Sequence, residues 1–148
     1  MKKHSIILID DNPDDCESLV RGFQTTDLSC VIKWYDSPEK YLDYLSDIDY
    51  DHINNILPIL IILDLNMPGI DGKKMLGIIK ANDKIKAVPV IILTTSTNQD
   101  DILECYANGA NTYIQKPMSF EKMKKICDSL HNYWFKVARL PQEGIYPL

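Results

Sequence analysis

The chain has no long hydrophobic run, no paired cysteines and no excess of positive charge, and each lack removes a class of protein. Its most apolar stretch, Ile59–Leu63, falls far short of the roughly 20 residues needed to cross a bilayer, so no membrane span is expected. The opening MKKHSIILIDD sets two lysines before an apolar piece that covers only Ile6 to Ile9 and ends in two aspartates. That is too short for the core of a signal peptide, so a cytoplasmic location is expected. Cys16, Cys30, Cys105 and Cys127 make no C-x-x-C pair, which argues against disulfides and structural zinc and for reduced, buried thiols. With 16 Lys and Arg against 21 Asp and Glu, the net charge of −5 leaves no general nucleic-acid surface. His4, His52 and His131 fall in no catalytic pattern.

What is present is the composition of an ordinary globular domain, 45% hydrophobic and 25% charged over 148 residues, and one domain spanning 1–148 is expected. Short apolar runs alternate with segments of helical period. SIILID (Ser5–Asp10), CVIKWY (Cys30–Tyr35), ILIILD (Ile59–Asp64), VIIL (Val90–Leu93) and TYIQ (Thr112–Gln115) read as five strands. Three of them are nearly pure Ile, Leu and Val, as central parallel strands covered on both faces require; the second and fifth are more polar and suit sheet edges.

Helices fill the gaps. Asn12 is a good N-cap before Pro13, with Asp14 and Asp15 in the first turn and Cys16, Leu19, Val20 and Phe23 on one stripe. Ser37-Pro38 opens a second helix whose inner face carries Tyr41, Leu42, Leu45 and Ile48. A third buries Met75, Leu76 and Ile79. A fourth, around Asp100 to Asn108, presents Ile102, Leu103 and Tyr106 inward and stops at Gly109. The fifth keeps its period from Ser119 to Arg139, so one long C-terminal helix is expected over about residues 119–140, with Pro141 ending it and a tail over 141–148. Such strand–helix alternation predicts an α/β fold with a doubly wound, five-stranded parallel sheet, flavodoxin-like in the order 2-1-3-4-5.

Ligands in such sheets bind at the carboxyl ends of the strands, where the order reverses between strands 1 and 3. There the chain places Asp10 and Asp11, Asp64, Thr94 and, after strand 5, Lys116-Pro117. Any one of these has an ordinary explanation as a helix cap, a loop hydroxyl or a solvated lysine. Three carboxylates at one place repel, however, and a divalent cation resolves the repulsion. An all-oxygen set with no His or Cys nearby points to Mg2+ or a similar hard ion, which favours an anionic oxygen such as a phosphate in its shell. A carboxylate at such a place can serve as the nucleophile toward phosphorus, while Lys116 as a point charge and Thr94 as a donor hold the phosphoryl oxygens.

These motifs resemble the receiver domains of two-component response regulators. ILIDDNP is similar to the family's acidic pair, LDLNMPGIDG to its phosphoacceptor loop, PVIILTT to its switch-threonine strand and YIQKP to its lysine–proline signature. All four occur in order over roughly residues 5–130. The resemblance implies Asp64 as phosphoacceptor, and Mg2+ held by Asp11, Asp64 and the backbone carbonyl of Asn66, with Asp10 acting through water. It also implies Thr94 and Lys116 on the phosphoryl group, a cis Lys116–Pro117 peptide, and Thr94 with Tyr113 as a switch pair. The phosphodonor would be a histidine of a partner sensor kinase. Thr95 stands where many receivers have alanine, and Asn66 and Ser96 are positions expected to tune the phosphoryl lifetime.

About 30 residues follow strand 5, too few for a DNA-binding module, so signalling through protein contacts with an unidentified downstream partner, or a relay role, is expected. The segment SDIDYDHINNILP (46–58) is longer than a receiver needs and reads as a surface loop or an extended helix end. A helix over 119–139 would run about 31 Å, against roughly 17 Å for a five-residue strand, so its last turns should overhang the sheet. They carry Tyr133, Trp134, Phe135 and Val137, which read either as a tail folded on its own domain or as an interface. A C-terminal YW helix followed by LP is similar to that of the small response regulators paired with bacteriophytochromes, single receivers that dimerise, and implies a homodimer through this helix and the strand 4–strand 5 side. Two rivals remain. A haloacid-dehalogenase-type phosphatase would need an acid where Asn66 stands, and a receiver-like binding module that takes up no phosphate would not need the full acidic set.

Overall fold

The structure, a computed structural model, describes residues 4–48 and 57–141. Five parallel strands, β1 (Ser5–Ile9), β2 (Val31–Tyr35), β3 (Leu60–Leu63), β4 (Val90–Thr94) and β5 (Thr112–Gln115), form one sheet in the order β2-β1-β3-β4-β5. The helices between and after them are α1 (Pro13–Gln24), α2 (Pro38–Asp47), α3 (Gly72–Ala81), α4 (Gln99–Ala107) and α5 (Phe120–Asn132). The expected order and edge strands are therefore borne out.

Alternation along the strands builds two cores. Ile7, Ile9, Ile61, Leu63, Val90 and Ile92 face α2, α3 and α4, meeting Tyr41, Leu45, Met75, Leu76, Ile79 and Cys105. The intervening Ile6, Leu8, Leu60, Ile62, Ile91 and Leu93 face α1 and α5, meeting Leu19, Phe23, Met123, Cys127 and Leu130. β1, β3 and β4 are buried on both faces, as near-continuous apolar runs demand. Each fully buried Ile or Leu contributes about 1.5–3 kcal/mol relative to exposure, which holds the strand ends in place for chemistry. Caps start the helices where the sequence predicts: Asn12 accepts from the amides of Asp14 and Asp15, Ser37 from Lys40, and Ser119 from Lys122. Gly109 follows α4 with a φ of 100°, the left-handed stop expected there.

Three expectations need correction. The inner residue of α4 is Cys105, fully buried, while Leu103 and Tyr106 are 59% and 48% exposed. Polar contacts set this rotation: Asp101 and Glu104 both reach Lys73 of α3, and the Tyr106 hydroxyl accepts the Tyr113 amide of β5. The C-terminal helix is not one α-helix over 119–140. α5 ends at Asn132, a π-helical turn covers Tyr133–Val137, and Ala138 is extended. The widened turn lays Trp134 and Phe135 against the α1/α5 core, and Leu140 is buried beyond it. The Lys116–Pro117 peptide is trans, since no described bond is cis; the ammonium still reaches the acids because the Lys116 amide is pinned to the Thr94 carbonyl at 2.7 Å.

Within the 46–58 segment, Ser46 and Asp47 complete α2, and residues 49–56 lie outside the described residues, as does the tail from 142 on. Among the described residues, no helix is long and apolar enough to cross a membrane, and all four cysteines are free, three of them buried.

Candidate functional site

The carboxyl edge of the sheet gathers the acids. β1 delivers Asp10, whose amide donates to the Tyr35 carbonyl of β2 and whose Oδ1 accepts from Asn12 N at 3.0 Å. β3 delivers Asp64, whose amide donates to the Ile9 carbonyl and whose Oδ1 accepts from Leu65 N at 2.8 Å and Asn66 N at 3.4 Å. One carboxylate oxygen from each of Asp10, Asp11 and Asp64 lies within 4.8 Å of the other two. Asp10 and Asp64 are buried, whereas Asp11 is exposed and opens the cluster to solvent.

Behind Asp64 the chain must turn without filling the site. Gly72 opens α3 with its amide donating to the Leu65 carbonyl, and a Cβ there would collide with the Asp64 carbonyl oxygen. Only glycine tolerates that approach. Glu39 of α2 steadies the loop from outside, its Oε1 accepting the Ile70 amide at 3.0 Å; that bond holds the Glu39 carboxyl below its ordinary range.

Opposite the acids sits Lys116, which β5 delivers and which is 8% exposed. Its Nζ lies 2.8 Å from Asp10 Oδ2, 2.7 Å from Asp15 Oδ2 and 3.1 Å from Asp64 Oδ2. Burial pulls its pKa down, but the hydrogen bonds to Asp10 and Asp15 outweigh it, and the net shift is upward. Burial pushes Asp10 the other way for an acid, up to about 6, against the opposing bonds from Lys116 and the Asn12 amide. The site thus holds more negative charge than one lysine neutralises. Its donor set is all oxygen and compact, and it fits a hard divalent cation.

Thr94, fully buried at the end of β4, faces the same place: Asn66 Nδ2 lies 3.5 Å from both the Thr94 and the Thr95 hydroxyls. Tyr113 on β5 is half-buried against the α2–α4 core, and its hydroxyl donates to the Ser96 carbonyl at 2.9 Å. Ser96 is itself tied down, its hydroxyl donating to Asp101 at 2.6 Å, and Asp101 pairs with Lys73 at 2.9 Å. The Ser96 hydroxyl and Lys73 together hold the Asp101 carboxyl below its ordinary range.

Asp10, Asp11, Asp64, Asn66, Thr94 and Lys116 therefore converge, and Tyr113 reaches the loop after Thr94. The aromatic set at the C-terminus splits instead. Tyr133 and Val137 are 52% and 62% exposed, whereas Trp134 and Phe135 pack on their own domain. His131 Nε2 and Lys136 Nζ both approach Asp27 on the α1–β2 connection, at 3.3 and 3.8 Å, which fastens the π turn there.

Two site residues escape the sequence reading. Asp15 reads as a first-turn acid complementing the helix dipole, yet it grips Lys116. The available signal was its spacing of four from Asp11, one helical turn on. Trp34 reads as an edge-strand aromatic, yet its indole N–H donates to the Asp10 carbonyl at 2.7 Å. Nothing in the local pattern announces that bond.

Comparison with known proteins agrees with this geometry. The response regulator receiver domain family matches residues 6–128. A probable methanogenesis regulatory protein, FilR2 of Methanothrix harundinacea, is 35% identical over 136 residues, 92% of this chain and 86% of that protein. Response regulator Rcp1 of Synechocystis sp. is 36% identical over 91 residues, 62% of each chain, and its Mn2+-bound structure aligns with a TM-score of 0.81 at 28% identity, covering 93% of this chain and 99% of that one. The phosphorylated cyanobacterial phytochrome response regulator RcpA aligns with a TM-score of 0.82 at 30% identity, covering 95% of this chain and 99% of that one. A switch-point cluster of acids facing a buried lysine, on this strand order and with these relatives, places the chain in the response regulator receiver domain family of phosphorylation-switched signalling proteins.

Proposed function

We propose that a partner sensor histidine kinase phosphorylates Asp64, and that the chain signals through protein contacts in the cytoplasm as a single receiver over 1–148. The observation that carries this reading is the placement of Asp64, rigid at the end of β3, buried, and set between a lysine and two further acids. In the transfer, a P–O bond forms to an Asp64 carboxylate oxygen as the P–N bond of the donor phosphohistidine breaks, its electron pair returning to the imidazole nitrogen. Lys116 and Thr94 donate to the phosphoryl oxygens, so the chain's own part is positioning and neutralisation. Asp11, Asp64 and the Asn66 carbonyl, with Asp10 through water, would hold Mg2+, which supplies further positive charge to the transferring group. The protein accepts phosphate stoichiometrically and loses it slowly by its own weak hydrolysis.

Tyr113 and Thr94 serve as the switch, with the Tyr113 hydroxyl's hold on the Ser96 carbonyl as the element whose population phosphorylation shifts. The likeness to RcpA and Rcp1 over most of the chain supports a phytochrome-class kinase as the donor. Tyr133 and Val137 support a homodimer, since the π turn leaves both exposed.

Intact-mass measurement with phosphoramidate and Mg2+ tests the central claim. One phosphoryl group is expected, absent in Asp64→Asn and absent after chelation. No added mass in the wild type would overturn the reading in favour of a binding module, and repeated turnover of a phosphate ester would replace it with a phosphatase.

A further inference from the structure

Lys116 has three N–H groups, and three carboxylate oxygens crowd its Nζ within 3.1 Å, from Asp10, Asp15 and Asp64. A phosphoryl group arriving on Asp64 needs at least one of those donors. Asp10 and Asp64 belong to the compact oxygen cluster with Asp11 and can satisfy their charge on a cation. Asp15 is not in that cluster, and among the described residues Lys116 is the cation it pairs with. It also makes the shortest of the three contacts, at 2.7 Å, and its backbone is anchored in the first turn of α1, the amide held by the Asn12 cap at 3.1 Å. Its side chain is about one-third exposed, which leaves a bond that can be broken rather than one that locks.

We propose that Asp15 is a positioning residue that competes with the phosphoryl group for the Lys116 ammonium, and so weakens the chain's hold on phosphate. The inference rests on Asp64 being the phosphoacceptor. Two effects act in the same direction. Asp15 withholds one of the three N–H donors, and its negative charge beside the lysine opposes a second anion there. Removing the charge while keeping the shape turns a charge-assisted bond into a weaker neutral one, from which the phosphoryl group takes the donor more easily.

The test uses the full chain at saturating Mg2+, with beryllofluoride as the phosphoryl probe and calorimetry as the readout. Asp15→Asn and Asp15→Ala should both bind beryllofluoride roughly five- to tenfold more tightly than the wild type, and both should retain phosphate on Asp64 longer. Their affinity for Mg2+ alone should not rise. A merely structural Asp15 would instead leave the Asn variant unchanged and weaken the Ala variant. Equal or weaker beryllofluoride binding by the variants, or a parallel rise in Mg2+ affinity, overturns the proposal while the phosphoacceptor reading stands. A wild type that binds no beryllofluoride removes both.

Discussion

Asp10 offers a test in which the sign follows from the geometry. Its carboxyl is buried, and burial pushes its pKa from an ordinary 3.8 up to about 6 despite its contact with Lys116. Between those two values the folded protein binds a proton that the unfolded chain does not. Stability without metal should therefore be higher at acid pH and fall as pH rises through about 6. The rise from 3.8 to about 6 corresponds to roughly 3 kcal/mol, the cost of keeping Asp10 ionised at neutral pH beside Lys116 when no metal ion is bound. Asp10→Asn removes that cost, while its amide oxygen can still accept the Asn12 N–H. In chelator at pH 8 the variant should melt above the wild type, by about 6–12 °C for a chain of this size. The gap should narrow to about half as pH falls to 5 and close only below the ordinary value of 3.8. In excess Mg2+ the order should reverse, because the wild type gains the binding energy of the metal and the variant loses a negative charge that holds it through water. Calorimetry at pH 8, 6.5 and 5, with and without Mg2+, reads every step. A variant melting at or below the wild type in chelator at pH 8, or a gap unchanged at pH 5, would refute the reasoning.

Further outcomes follow from single contacts. Gly72→Ala places a methyl against the Asp64 carbonyl and the Leu65 backbone, so it should cost at least about 2 kcal/mol in denaturant unfolding and slow phosphorylation; wild-type behaviour in both would show that the loop relaxes cheaply. Because the Trp34 indole donates to the Asp10 carbonyl, Mg2+ addition should change tryptophan emission in the wild type and in Trp134→Phe but not in Trp34→Phe, and a response surviving Trp34→Phe would contradict this. If the exposed side chains of the π turn form the dimer contact, Tyr133→Ser with Val137→Ser should sediment as a monomer where the wild type does not, whereas Trp134→Ala should lower stability instead. A wild type that is monomeric at tens of micromolar, with and without beryllofluoride, would count against the dimer.

The strands were legible because their signal is local. Ile6–Ile9, Ile59–Leu63 and Val90–Leu93 are apolar over too many consecutive positions for anything but central strands, and Asn12, Ser37, Gly109 and Ser119 mark helix ends through short-range bonding. α4 was misread because Ile102, Leu103 and Tyr106 satisfy a helical stripe as well as Cys105 does. Which stripe turns inward was decided by Lys73 on another helix and by the edge of β5. The C-terminal helix was legible as a helix, but its last turn was not, because periodicity cannot register the one-residue widening of a π turn.

The sequence alone determined the strand order and the edge at which Asp10, Asp11, Asp64, Thr94 and Lys116 must meet, because apolar periodicity and right-handed crossovers leave few ways to close such a sheet. Tertiary structure alone decided how Lys116 divides its three bonds, that Asp15 holds one of them, and that Trp134 and Phe135 fold inward while Tyr133 and Val137 stay out. The physical reason is reach. Secondary structure is set by neighbours a few residues away, whereas an ammonium chooses among carboxylates from three separate elements only after the core has fixed all three.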